Sequence, residues 1–414
     1  MLLLAVTAAV ACPTLAAGTP SELSYDVAQV AIVRVGTRTT FSVSVNPTGD
    51  PQDFALVLPV PEVLSEEDVR TLPDGVFAGL DISSAPLHVS DAGCYSYSYG
   101  SSCNQSWAAT SPSSSGSTSL GVGVVGSWLE GDYLITVLTA EESAGLLEWL
   151  NTNGYQMPAA AESLLAEYIE AGQYFMAAKV AEGAQLADGT SLPPLQVVYH
   201  SEVFSIPIRL ATANSPGEQD LIIYAVTTAE AGAVGISNYP EFTVPDRCVW
   251  QGSDFSEFYE AQFTEAWERM ASAAWTVEYE AGADGANPSP GWIRTPPMLR
   301  ELGFRLDYRE HYLTRIHVRY TPEQAHSELA LYETNLGEPR VLSYADNLEP
   351  NYDCVTTFCS GELTPQDPPP PEVECDDSRR NKAGSCGCGS GAPATVTVML
   401  LGAALAACRR RRVG

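Results

Sequence analysis

Six arginines, Arg294, Arg300, Arg305, Arg309, Arg315 and Arg319, crowd into one short stretch of the chain, with His311 and His317 among them. A planar guanidinium pairs bidentately with carboxylate or phosphate, so such a run points to recognition of an anion. If residues 311–320 form a strand, His311, Leu313, Arg315, His317 and Arg319 share one face, and Tyr312, Thr314, Ile316, Val318 and Tyr320 the other. We therefore take Arg305, Arg309, Arg315, His317 and Arg319 as the candidate anion-binding set. The competing expectation is that these arginines neutralise the protein's own carboxylates. His311 and His317 stand roughly 20 Å apart on an extended strand, too far to share a metal ion, and no metal ligands are assigned.

The motifs of covalent and cofactor chemistry are missing or misplaced. There is no Gly-x-Ser-x-Gly, Ser-x-x-Lys or His-Glu-x-x-His. Gly121-x-Gly123-x-x-Gly126 follows a Ser-rich stretch and leads into a strand with no helix behind it, the wrong setting for a dinucleotide turn. No Asp-x-Asp-x-Asp-Gly calcium loop occurs, and glycosidase-type carboxylate pairs cannot be picked from 51 acidic residues. We assign no catalytic residue and no cofactor. Binding or structure is the expected role, and a secreted hydrolase with dispersed catalytic residues is the alternative.

The ten cysteines bear on compartment. Cys386, Cys388 and Cys408 lie near the C-terminus, leaving Cys12, Cys94, Cys103, Cys248, Cys354, Cys359 and Cys375. Their spacings are not those of zinc fingers, and an exported chain oxidises such residues to disulfides. Cys94 with Cys103 and Cys354 with Cys359 are natural local bridges. Cys12, Cys248 and Cys375 remain for one further bridge, with one left over.

The ends point to export. Residues 1–11 read as a signal peptide: an apolar run closed by Ala9-Val10-Ala11, with cleavage before Cys12 and lipidation of Cys12 as the lesser alternative. Residues 346–385 read as a Cys-containing, Pro-rich acidic linker, with Pro368-Pro369-Pro370-Pro371 followed by Glu372, Glu374, Asp376 and Asp377. Residues 386–414 then place Cys386 and Cys388 before an apolar segment, Ala392 to Ala407, stopped by Arg409, Arg410, Arg411 and Arg412. That charge placement fits an orientation with the ectodomain outside; a plain tail anchor is the other reading. The order Cys, apolar helix, Arg cluster resembles the MYXO-CTERM sorting signal. The resemblance implies that export and sorting machinery process the tail near Cys386 or Cys388 after a transient membrane helix. With that address, the expected anionic partner is an acidic envelope glycan or a lipopolysaccharide phosphate.

Positioning these groups falls to residues 12–345, read as one ectodomain. Acidic residues outnumber basic ones by 51 to 21, for a net charge of −30, which excludes a nucleic-acid binder working through a basic footprint. At 45% hydrophobic and 17% charged residues the chain has the material for a real core. Strands are expected at Val27–Val35 and Thr39–Val45, joined through Gly36, and at Phe54–Leu58, whose unbroken apolar run implies burial on both faces. Further strands are expected at residues 131–139, 173–180, 195–200, 204–212 and 220–228. Thr139 and Glu142 predict a capping box for one helix, Pro158 the start of a second, and Asp254 with Glu257 the start of a third. The third carries Phe255, Phe258, Tyr259, Phe263, Trp267 and Met270 on one face, a core stripe. A Ser/Gly/Tyr-rich loop spans residues 90–118. Strands and helices mix without a regular repeat, so the fold class is α+β: mixed, mainly antiparallel sheets with several packed amphipathic helices in a disulfide-bonded ectodomain.

From Cys12 to about Arg340 the sequence resembles the bacterial domain-of-unknown-function family 2330. The residues that carry the likeness include Gly36-Thr37-Arg38-Thr39, the run Asp53 to Pro61, Leu72-Pro73 with Val76-Phe77, and Trp149-Leu150. Further along they include Gln219-Asp220-Leu221-Ile222, Asn238-Tyr239-Pro240, and Leu313 to His317 with Arg319-Tyr320. The resemblance implies export and no particular activity.

Overall fold

Alternating Thr39, Phe41 and Val43 against Val30 and Ile32, with Gly36 between them, make a hairpin. In the computed structural model Ala28–Val35 and Arg38–Ser44 pair antiparallel, and Gly36 takes φ +60° at the turn. The structure describes residues 24–25, 28–44, 47–48, 55–73, 75–89, 121–155, 157–181, 192–213, 215, 217–245, 247, 249, 254–283, 296–335 and 339–345. The chain divides into two units, Met1–Asp367 and Pro368–Gly414, and all of these residues belong to the first. The ten cysteines, the loop 90–118, Arg294 and both terminal segments lie outside the described residues.

The hairpin is part of an eight-stranded sheet. Its order is Arg340–Val341, Ala274–Gly282, His311–Tyr320, Gln219–Thr228, Ala28–Val35, Arg38–Ser44, Leu195–His200, Val69–Thr71. Neighbours run antiparallel, apart from the parallel pairing of Gln219–Thr228 with Ala28–Val35. A second, antiparallel sheet holds Ala55–Val60, Tyr174–Val180, Tyr133–Ala140 and Val122–Glu130. The class is α+β, with mixed and mostly antiparallel sheets.

Side-chain alternation sorts the strands into layers. Ile32, Phe41, Ile223 and Ile316 of the large sheet meet Leu58, Ile135 and Met176 of the small one in a common core. The other face of the small sheet, including Val57 and Phe175, is covered by helices Ser143–Thr152 and Ala161–Glu170. Ala55–Val60 is therefore buried at every residue, as its unbroken apolar run requires. On the other face of the large sheet lie helices Val76–Ser84, Pro296–Glu301 and Phe255–Glu268.

Three local expectations are corrected. Thr139 does not cap a helix: it stays in Tyr133–Ala140, and its hydroxyl donates to the Gly123 carbonyl at 3.4 Å. The helix instead begins at Ser143 without a side-chain cap. Residues 204–212 are not one strand, because Pro207 interrupts the ladder after Ser205–Ile206 and a short helix, Arg209–Thr212, follows. Pro158 sits one turn ahead of its helix, where its carbonyl accepts from the Ala161 amide at 2.9 Å. The Asp254 cap forms as read, its carboxylate accepting from the amides of Ser256 at 2.8 Å and Glu257 at 3.3 Å. Phe258, Phe263 and Trp267 of that helix are buried in core packing.

Candidate functional site

Every residue of the strand His311–Tyr320 is buried, although it carries two arginines and two histidines. Alternation puts Ile316, Val318 and Tyr320 into the core between the sheets and turns Arg315, His317 and Arg319 to the helix-covered face. Buried cations need counter-charges, and the neighbouring strands supply them. Register places Asp220 directly across from Arg319 and Tyr224 across from Arg315. On the other side the ladder slips between Val277 and Tyr279, a β-bulge at Glu278. The extra residue re-aims the Glu278 carboxylate onto the charged face, between Arg315 and His317.

The resulting contacts are short and continuous. Arg315 Nε donates to Glu278 Oε2 at 2.5 Å, and its Nη1 to Asp81 Oδ1 at 2.6 Å and to the Tyr224 hydroxyl at 3.3 Å. His317 Nδ1 donates to Glu278 Oε1 at 2.9 Å, and its Nε2 to Asp220 Oδ1 at 2.9 Å. The Tyr259 hydroxyl adds a third donor to Glu278, at 2.5 Å. Arg319 grips Asp220 with Nε and Nη2, both at 2.7 Å, and reaches Glu260 and the Thr264 hydroxyl, each at 2.7 Å. The helix Phe255–Glu268 closes the face: Phe263 stacks on His317 with centroids 3.8 Å apart and lies 4.8 Å under the Arg319 guanidinium.

Electrostatics follow from this geometry. Burial alone would push His317 down, but the carboxylates of Glu278 and Asp220 outweigh it and lift the imidazole to about 9. Burial would raise Glu278, yet Arg315 and His317 hold it at about 2. Asp220 is likewise carried down to about 2, its burial overcome by His317 and Arg319. Both ring nitrogens of His317 therefore bear protons, each directed at a carboxylate. An imidazolium in this setting has no lone pair with which to accept a proton or bind a metal. Glu278 has a side chain only 1% exposed, whereas Asp81 at 43% and Glu260 at 57% carry the lattice out to solvent.

Of the five candidate residues, the structure brings Arg315, His317 and Arg319 together, facing the protein's own carboxylates. Arg305 and Arg309 are exposed and stand apart from the lattice, Arg309 in the turn Tyr308–Glu310. The sequence reading missed Glu278, Asp220, Asp81, Glu260 and Tyr259. A signal was present, because two arginines and a histidine at alternate positions of an otherwise apolar strand demand acids on the flanking strands. Among the described residues no cluster of His, Cys, Asp and Glu is disposed to hold a metal ion. Among them, too, no helix is long and apolar enough to cross a membrane, and Ala392 to Ala407 lies outside them.

Comparison with known proteins adds one finding. The family model described as "Uncharacterized protein conserved in bacteria (DUF2330)" matches residues 6–331. Neither the curated proteins nor the solved structures offer a match to the chain.

Proposed function

The chain belongs to the DUF2330 family of proteins conserved in bacteria, and from that premise we propose that it is an exported cell-envelope protein that acts by binding or as structure. The terminal segments support the address: the apolar run ending at Ala11, the acidic Pro-rich spacer, and Cys386 and Cys388 ahead of an apolar segment and four arginines. The non-catalytic role rests on one observation, the two ring nitrogens of His317 each engaged at 2.9 Å by an internal carboxylate, Glu278 on one side and Asp220 on the other. The arrangement also favours the competing reading, a secreted hydrolase, in that a histidine between two acids is a common catalytic pairing. What weighs against it is that each of its ring nitrogens faces an internal carboxylate, and the Glu278 side chain is only 1% exposed.

Two measurements test the proposal together. Cell fractionation with mass analysis of the mature ends should find the chain in the envelope, starting near Cys12 and processed near Cys386 or Cys388. Cys386→Ala/Cys388→Ala should abolish surface display, and unchanged display would contradict sorting. Assay of the full chain against ester, peptide and glycoside substrates should give no turnover, whereas turnover abolished by His317→Gln would establish the hydrolase.

A further inference from the structure

A second group of arginines lies at the other edge of the large sheet, away from the lattice. Arg38 and Arg70 stand on the strands Arg38–Ser44 and Val69–Thr71, with buried Gln196 of Leu195–His200 directly beside Arg70 in register. Both arginines reach the turn that ends helix Pro296–Glu301. Arg38 Nη1 donates to the Gly303 carbonyl at 3.3 Å and to Thr40 Oγ1 at 3.1 Å. Arg70 donates through Nη2 to the Glu301 carbonyl, and through Nε to Gln196 Oε1 at 2.7 Å. Gln196 Nε2 in turn donates to the same Glu301 carbonyl at 3.1 Å and to Ser42 Oγ at 2.8 Å. Arg305 follows two residues after Gly303, exposed and with no hydrogen bond or ion pair among the described residues.

From this arrangement we infer that Arg38, Arg70 and Arg305 form a binding site for a phosphate group. The guanidiniums of Arg38 and Arg70 are fixed by a buried amide and by backbone carbonyls, so little side-chain entropy is lost when a ligand arrives. Among the described residues both keep donors beyond those contacts, and Arg305 brings a full set. Two carboxylates act on Arg70: Glu301, whose Oε2 lies 3.7 Å from its Nη1, and Glu130. Among the described residues Arg70 thus has two arginines and two carboxylates acting on it, in a protein whose net charge is −30. Burial, then the charge of Arg305, pulls Arg38 below the ordinary arginine value. Arg70 is lowered by burial, drawn back by Glu301, and lowered again by Arg305 and Arg38. A tetrahedral dianion would relieve that mutual repulsion and take paired N–H donors from more than one guanidinium.

The inference deepens the binding role proposed above and rests on it only in taking binding as the function; a purified full-length chain tests it without reference to cellular address. Calorimetric titration with inorganic pyrophosphate should show saturable binding. Arg305→Gln should weaken it by about tenfold or more, the loss expected for a charge-assisted contact, with the unfolding midpoint unchanged. Arg309→Gln should leave affinity as it is. A second arm uses phosphatidylcholine vesicles with and without phosphatidic acid. Capture by the phosphatidic acid vesicles that pyrophosphate competes away assigns a lipid headgroup, and pyrophosphate binding without capture assigns a soluble phosphate. No binding in either arm, or affinity equal in Arg305→Gln and the parent, or equal weakening by Arg309→Gln, overturns the site. Such a failure leaves fractionation and display untouched, so it is distinguishable from failure of the envelope reading.

Discussion

At His317 two hydrogen bonds leave the ring in opposite directions, 2.9 Å to Glu278 and 2.9 Å to Asp220, and each acid also holds an arginine. Removing one member leaves its partners charged and buried. Glu278→Gln strands Arg315 and His317 without their shared acceptor, and we expect a loss of about 3–5 kcal/mol in urea unfolding. A loss under about 1 kcal/mol would show that water reaches the face and solvates the orphaned cations. The alternation of Arg315, His317 and Arg319 on one face was legible in the sequence, because a strand imposes a period of two. Their acids were not legible: Asp220 comes by strand register, Glu278 by a bulge, and Asp81 and Glu260 from helices packed on the sheet, none of which a local pattern specifies. Arg305 was grouped with them in one anion-binding set, but it lies in the exposed stretch that precedes the strand His311–Tyr320 and not on its charged face.

Element boundaries were readable wherever a single residue type dictates the backbone. Asp254 caps the helix that covers the charged face, so Asp254→Ala should lower stability by about 1 kcal/mol. The same thermal or urea unfolding measurement checks it, and no change would mean that packing of Phe258, Phe263 and Trp267 alone fixes the helix start. Gly303 shows a dictated position of another kind. It takes φ +92°, its amide donates to the Arg300 carbonyl at 3.0 Å, and the next amide, of Phe304, reaches Leu299 at 2.8 Å. A Cβ there would stand 2.7 Å from Thr40 Oγ1, so glycine is required both by backbone and by close approach. The Thr139–Glu142 pair misled because a capping-box spelling says nothing of whether its first residue is already committed to a strand. The sheet hydrogen bonds of Tyr133–Ala140 take precedence, since they join that strand to partners on both sides.

On the scale of the molecule, the α+β class was legible from mixed periodicities, whereas the pairing of an eight-stranded with a four-stranded sheet was not, because strand order is set by long-range contacts. The charge lattice lies between the large sheet and its helices, so its protonation state should govern stability of the whole fold. His317 rises from 6.5 to about 9 on folding, so its contribution is full below about 6.5 and lost as pH climbs through 9. Glu278 and Asp220 fall from 4.5 and 3.8 to about 2, so theirs is full above those ordinary values and lost as pH drops toward 2. Stability should therefore form a plateau between about pH 4.5 and 6.5 and decline on both sides. The most direct test is the free energy of urea unfolding from about pH 5 to about pH 10, for the parent chain and His317→Gln. A structural, proton-holding His317 predicts that the parent loses up to about 3 kcal/mol more than the variant across the alkaline arm. Equal alkaline loss in both would contradict it, and would mean that His317 does not hold its proton between Glu278 and Asp220.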